Sequence, residues 1–272
     1  AYLKFTDNNG MLHGSFNQHA VVTGRLSSSN PNLQNISKKG GTDDQKAVEK
    51  FLGAKDEAAI NRQIRGLFIA KPGNVLLSLD WSQVEVRAAA WLSQDERMIG
   101  AWQANPALDY HADTMELTSL DRDSAKSIGF LVLYSGGPAA LAEMLTAKGR
   151  PTTKQQAAAM FDLVFSKRPA LKKVIREYDV KAARQGYIQN CFGRVCEVPR
   201  ERSYVGLNVA DQGTVGDWMR RKITEMYRFI QQNNLPVELF LTVHDELCME
   251  LPEDEVDRCV PPLQAEMSRC YF

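Results

Sequence analysis

The chain has 272 residues, 44% of them hydrophobic, enough for a full core in one large domain or two smaller ones. Lys plus Arg equals Asp plus Glu at 33 each, so net charge identifies no partner, and any nucleic-acid surface must come from local segregation of charge. Five cysteines (191, 196, 248, 259, 270) without a C-x-x-C pair argue against a disulfide framework or a zinc ribbon and fit a reducing, intracellular compartment. No apolar run approaches the ~20 residues of a membrane span, and "AYLKFTDNNG" lacks the charged and apolar regions of a signal peptide. The chain has no initiator Met and stops at "MSRCYF", as a piece of a longer protein would.

In chain order, "TGRLSSSNPNLQNIS" (Thr23 to Ser37) reads as an ordered loop, rich in Ser, Asn, Pro and Gly. The charged, Gly-flanked segment after it, about 38–62, reads as an exposed helical insertion. "NVLLSLD" (Asn74 to Asp80), bounded by Pro72-Gly73, suits a buried strand. "WSQVEVRAAAWLSQ" has helical composition, with Ser82 able to cap it. From about Ala104 to Gly186 the periodicity is mostly helical, and its later part is basic, with Lys167, Arg168, Lys172, Lys173, Arg176, Lys181 and Arg184 against few acids. A hairpin around Phe192-Gly193-Arg194, a helix over about Val205 to Asn233, a second hairpin in "VELFLTVHDELCMEL" and a helix from about Glu253 complete the chain. Strand, long helical excursion and strands again imply an α+β sheet domain with an inserted helical subdomain.

Three constellations carry chemistry. Asp80 ends one apolar strand, and Asp245 and Glu246 sit at the tip of the second hairpin, so the acids converge if the strands are neighbours. Like charges ~4 Å apart repel by about 1 kcal/mol in water and about 4 at an effective dielectric of 20, so a functional pair needs a positive partner. Mg²⁺ binds through one or two carboxylates completed by substrate phosphates, and paired ions serve in-line phosphoryl displacement. The plainer alternative is that Asp80 caps a helix and the other two are solvated turn residues.

Second, Arg122, Lys126, Phe130 and Tyr134 recur every four residues. At 3.6 residues per turn they form one slowly drifting stripe about 18 Å long, cationic at one end and aromatic at the other, the outline of a nucleoside triphosphate. An amphipathic helix with core aromatics and solvated cations gives the same pattern. His111 falls near the same layer. Third, Asn208 and Gln212 share a helix face, and amides suit the minor groove, where every base pair presents acceptors. Two solvent-facing amides are the alternative.

Together, "TGRLSSSNPNLQNI", "LDWSQVEVR", "RDSAKSIGFLVLYSGG", "NVADQG" and "VHDE" resemble, in order, the palm and fingers of the family A DNA polymerases, with "RDSAK" and the insertion more phage-like than bacterial. The resemblance implies a right-hand palm, an antiparallel sheet with packed helices, over 1–104 and 188–272, with helical fingers over 105–187. It implies neither thumb nor exonuclease in this chain, no last palm strand, weak DNA holding and low processivity. Asp80 and Asp245 would bind two Mg²⁺ ions (Mn²⁺ able to substitute), with the Trp81 carbonyl as a further ligand and Glu246 auxiliary. Glu85 would be the steric gate against ribonucleotides, and Arg87 a brace. His111, Arg122 and Lys126 would hold the deoxynucleoside triphosphate, while Phe130 and Tyr134 line the sugar and base pocket. Arg25, Gln34, Asn208, Gln212 and His244 would contact primer-template DNA.

The resemblance further implies template-directed DNA synthesis in replication or repair, in the cytoplasm of a bacterium or phage-infected cell, without a membrane partner. A single-subunit RNA polymerase and a non-catalytic primer-template-binding module are the alternatives. The chain departs from the family at Leu131 and Ser135, where Gly is usual, at Gly129, where a larger residue is common, and at Tyr204 and Thr242, which replace frequent Arg and Gln.

Overall fold

The computed structural model describes residues 2–36 and 66–269, and the expected insertion at about 38–62 lies outside them. Strands β1 (Ser15–Asn17) and β2 (Ser27–Ser29) form a small antiparallel ribbon, and β3 (Asn74–Asp80) follows. Seven helices come next: α1 (Val84–Ser93), α2 (Glu96–Ala104), α3 (Tyr110–Thr118), α4 (Arg122–Leu133), α5 (Pro138–Ala147), α6 (Lys154–Lys167) and α7 (Pro169–Gln185). After them stand the hairpin β4 (Tyr187–Gln189) and β5 (Val195–Glu197), the long helix α8 (Gly206–Gln232), the hairpin β6 (Glu238–Val243) and β7 (Glu246–Pro252), and α9 (Val256–Ser268). The α+β class read from the sequence is the one found.

The chain divides into two compact units. The first contains the described residues of 1–21, 26–81 and 219–271; the second contains 22–25 and 82–218. In the first, β7 is the central strand of a three-stranded antiparallel sheet ordered β3-β7-β6. Alternation along β7 buries Leu247, Met249 and Leu251 against Met219, Met226 and Ile230 of α8 and against Cys259, Leu263 and Met267 of α9. Lys222, with its charge fully buried, donates Nζ to the Glu266 carbonyl at 2.9 Å and stands 3.2 Å from the Glu225 carboxylate, locking α8 to α9. In the second unit, Val86, Ala89 and Ala90 of α1 pack with Ile128, Val132, Leu141, Leu145 and Leu171 in one helical core.

The structure corrects four expectations. Asn74–Asp80 is a strand, but among the described residues it stands at the edge of its sheet, with Leu76 44% exposed, because only β7 of the three strands has a neighbour on both sides. The segment from Thr23 contains β2 and a 3-10 turn, Leu33–Asn35, rather than loop alone. Ser82 does not cap α1. The cap position is Gln83, left-handed at φ 55°, whose amide instead donates to the Leu108 carbonyl at 3.0 Å and accepts from the Tyr110 N–H at 2.9 Å. Finally, the turn of the β6–β7 hairpin is His244–Asp245 alone; Glu246 is already the first residue of β7.

Candidate active site

In the first unit, strand register brings the acids together. Asp80 stands opposite Glu246 across the β3–β7 ladder, and the Trp81 N–H donates to the Asp245 carbonyl at 3.2 Å. Alternation turns Leu79 and Leu247 into the core, so Asp80 lies on the outer face beside Ser78. Glu246 accepts from the Ser78 hydroxyl and from Cys248 Sγ at 3.7 Å. Trp81 is anchored by its indole N–H to the Met267 carbonyl at 2.8 Å. His244 holds the hairpin turn at φ 58°, a left-handed conformation in which His is several-fold enriched. Gln34 is buried and donates to the Thr242 carbonyl at 3.2 Å, fastening the Leu33–Asn35 turn to β6.

Among the described residues, no group of three or more His, Cys, Asp and Glu side chains forms a closed metal cage. A pair of strand-end carboxylates fits Mg²⁺ differently. This ion keeps several waters and takes its remaining oxygens from substrate phosphates.

In the second unit, Glu85 is the hub of a polar cluster. One carboxylate oxygen accepts from the Arg25 guanidinium and the other from the Tyr134 hydroxyl. The Tyr134 hydroxyl is pushed far above the ordinary tyrosine range by burial first and the Glu85 charge second, with the neighbouring Gln212 opposing. Gly24, before Arg25, must be glycine: φ is +78°, and a Cβ would stand 2.5 Å from Arg194 Nε.

Arg194 is itself paired with Asp217, Nη2 to Oδ1 at 2.6 Å and Nε to Oδ2 at 2.8 Å, and Asn190 reaches the same carboxylate at 2.8 Å. Nothing in the linear spacing of Asn190, Arg194 and Asp217 announces this clamp, because the β4–β5 hairpin and α8 meet only through the fold.

Helix α4 carries the stripe. Arg122 is bonded through Nε to Asp109 at 2.8 Å, and Lys126 Nζ lies 5.7 Å from the Phe130 ring. The rings of His111 and Phe130 stand 6.3 Å apart, and those of Phe130 and Tyr134 5.6 Å apart. Asp109 also accepts from the His111 N–H at the start of α3. Burial raises the Asp109 carboxyl, but its bonds from Arg122 and His111 outweigh this and leave it below the ordinary value.

Burial holds the His111 imidazole below its ordinary value, with Asp109 opposing and Lys126 adding. Gly129 lies beside that ring, where a Cβ would meet His111 Cε1 at 3.4 Å, an ordinary van der Waals contact. Past the helix, the chain turns at Ser135, which is left-handed at φ 55°. A left-handed L-residue costs roughly 1–2 kcal/mol, which explains why glycine suits this position.

Asp211, within "NVADQG" beside Gln212, is a functional neighbour the motif did not single out. It is 1% exposed, and neither carboxylate oxygen has a hydrogen-bond partner among the described residues. Burial first, and the Glu85 charge second, push its carboxyl well above the ordinary range, with Arg25 opposing. A raised native pKa means the native state holds a proton that the unfolded chain has released above about pH 4, so stability falls as pH rises toward the native value, by up to ~1.4 kcal/mol per unit. Asp211→Asn removes this slope. Urea unfolding at pH 5 and pH 8 is expected to show the variant gaining on the parent as pH rises; a pH-independent difference would contradict it. Asn208, one helical turn before Gln212, is partly buried on the same helix.

Residues 1–271 match the family described as DNA polymerase family A. The DNA polymerase I of Chloroflexus aurantiacus is 34% identical over 96% of this chain and 27% of its own length. The thermostable DNA polymerase I of Thermus thermophilus is 33% identical over 92% of the chain and 29% of its own. In three dimensions the whole chain superposes, with a TM-score of 0.83 and 26% identity, on 47% of the POL domain of Pol1 from M. smegmatis, solved in complex with DNA primer-template and dNTP. The chain therefore spans under a third of the length of these curated relatives. Order of motifs, sheet register and near-complete coverage agree, and the chain belongs to DNA polymerase family A.

Proposed function

We propose that this chain carries the nucleotidyl-transfer machinery of a template-directed DNA polymerase, extending a primer 3′ end with deoxynucleotides in replication or repair. The observation that carries it is the β3–β7 register, which sets Asp80 opposite Glu246 and ties Trp81 to Asp245. Asp80 and Asp245, with the Trp81 carbonyl, would hold two Mg²⁺ ions, or Mn²⁺ in their place. When bound, such ions neutralise phosphoryl oxygens and make a hydroxyl a better nucleophile.

The protein's own groups position and select. Arg122 and Lys126, with His111 beside them, offer cations and a ring nitrogen to a triphosphate. For Arg122 this means exchanging Asp109 for phosphate. Phe130 and Tyr134 present rings to sugar and base, and Glu85, held by Arg25 and Tyr134, fills the space a 2′-hydroxyl would need. Asn208, Gln212, Gln34 and His244 are assigned to the primer-template, Glu246 to an auxiliary role at the acids, and 105–187 to the fingers. The acids belong to the first unit and the stripe to the second, and each is assigned on its own geometry.

Because replicating DNA is the substrate, the setting is the cytoplasm of a bacterium or infected cell. No helix among the described residues is long and apolar enough to cross a membrane.

The test is extension of a labelled primer-template with Mg²⁺ and dNTPs, with rNTPs in parallel. Mg²⁺-dependent extension by dNTPs alone is expected. Preference for rNTPs would make this an RNA polymerase, and binding without extension would make it a primer-template-binding module.

A further inference from the structure

The basic stretch over 167–184 has no part in the site above. Within the second unit, α7 buries Leu171, Val174 and Ala182 and turns Lys172, Lys173, Arg176, Val180, Lys181 and Arg184 outward. These positions follow the 3.6-residue repeat, so they form one stripe, about 18 Å long from Lys172 to Arg184. A solvated helix face ordinarily mixes signs; this face carries five cations against Glu177, which stands 3.7 Å from Lys173. The stripe borders an open groove of about 970 Å³ that includes Phe165 of α6 and Val180, itself 60% exposed. Lys172 Nζ lies 5.5 Å from the Phe165 ring. In a chain with balanced charges, this is a local excess of cations around an apolar floor.

We infer that this groove binds single-stranded nucleic acid through its phosphates and base faces, without regard to sequence. The four-residue step from Lys172 to Arg176 advances ~6 Å along the helix, and flexible cations at such intervals can follow a strand's successive phosphates. The Phe165 ring, the exposed Val180 and the planar guanidinium groups of Arg176 and Arg184 offer flat surfaces to unstacked bases. An acidic polypeptide would use the cations but has no comparable run of flat rings for the floor. The site lies apart in sequence from the acids of β3 and β7 and does not rest on the polymerase reading.

The test is fluorescence anisotropy of a labelled oligo(dT) of ~12 nucleotides with this chain, over salt from about 50 to about 200 mM. A variant combining Lys172→Gln, Arg176→Gln, Lys181→Gln and Arg184→Gln leaves the buried face of α7 intact, which circular dichroism checks. It is expected to lose at least tenfold in affinity at the lowest salt. Its plot of log affinity against log salt should flatten by about 3, given a slope of ~0.7 per phosphate contact. Phe165→Leu keeps apolar packing, and it should weaken oligo(dT) about fivefold or more while leaving polyglutamate binding unchanged.

Unaltered oligo(dT) affinity and slope in the fourfold variant would overturn the site. So would polyglutamate binding more tightly than oligo(dT) without responding to Phe165→Leu, which would assign the groove to an acidic protein segment. Asp80→Ala should retain the parent's oligo(dT) affinity whatever happens to primer extension, so loss of one activity is distinguishable from loss of the other.

Discussion

Asp80→Ala and Asp245→Ala should each reduce primer extension at least about 10³-fold while leaving primer-template affinity and thermal stability close to those of the parent. The size follows from the several kcal/mol that metal-assisted charge neutralisation contributes, each 1.36 kcal/mol being tenfold in rate. The spared stability follows from placement. Asp80 is exposed at the end of a strand that Leu79 anchors from the opposite face, and Asp245 lies in a two-residue turn, after which Leu247, the second residue of β7, is fully buried. Removing either carboxylate therefore should not open the core. Single-turnover extension, paired with a binding isotherm for the primer-template, separates chemistry from affinity. Either variant extending at near-parent rate would remove the two-acid assignment.

Glu85→Ala should act on both selectivity and stability, because one carboxylate serves two ends. Emptying the space beside the sugar should narrow the preference for dNTPs over rNTPs by about 10–200-fold, the range for steric discrimination of small groups. The same change leaves the Arg25 guanidinium, 24% exposed, and the Tyr134 hydroxyl without their shared acceptor. Breaking a fully buried pair costs 3–5 kcal/mol; discounted for partial exposure, ~2 kcal/mol is expected here, a fall of roughly 4–8 °C in Tm for a chain of this size. Glu85→Gln separates the effects: it keeps the volume, so dNTP preference should persist, but it weakens the bond to Arg25, so Tm should still fall. If Glu85→Ala leaves discrimination unchanged while lowering Tm, Glu85 is a structural tie and not a gate.

Much of this architecture is legible in sequence, and for local reasons. "NVLLSLD" after Pro-Gly, the alternation in "VELFLTVHDELCMEL" and the four-residue stripe from Arg122 to Tyr134 each follow from a periodicity that the backbone imposes on neighbouring residues, and their bounds fall within a residue or two of β3, β6, β7 and α4. The motif order likewise points to the family without any contact being known.

What sequence could not decide depends on neighbours distant along the chain. Whether Asn74–Asp80 is central or edge rests on which strand lies beyond it, a choice made by the β3-β7-β6 order. That Asp80 meets Glu246 rests on a register 166 positions apart, set by core-facing leucines that a one-residue slip would turn outward. Arg122 is bonded to Asp109 and Gln34 to the Thr242 carbonyl of β6, pairings that no spacing along the chain announces. Asp211 carries the same lesson. Its place on a helix is plain from the sequence, but a helix has an inside only once something packs on it, and burial is what pushes that carboxyl upward beside Glu85.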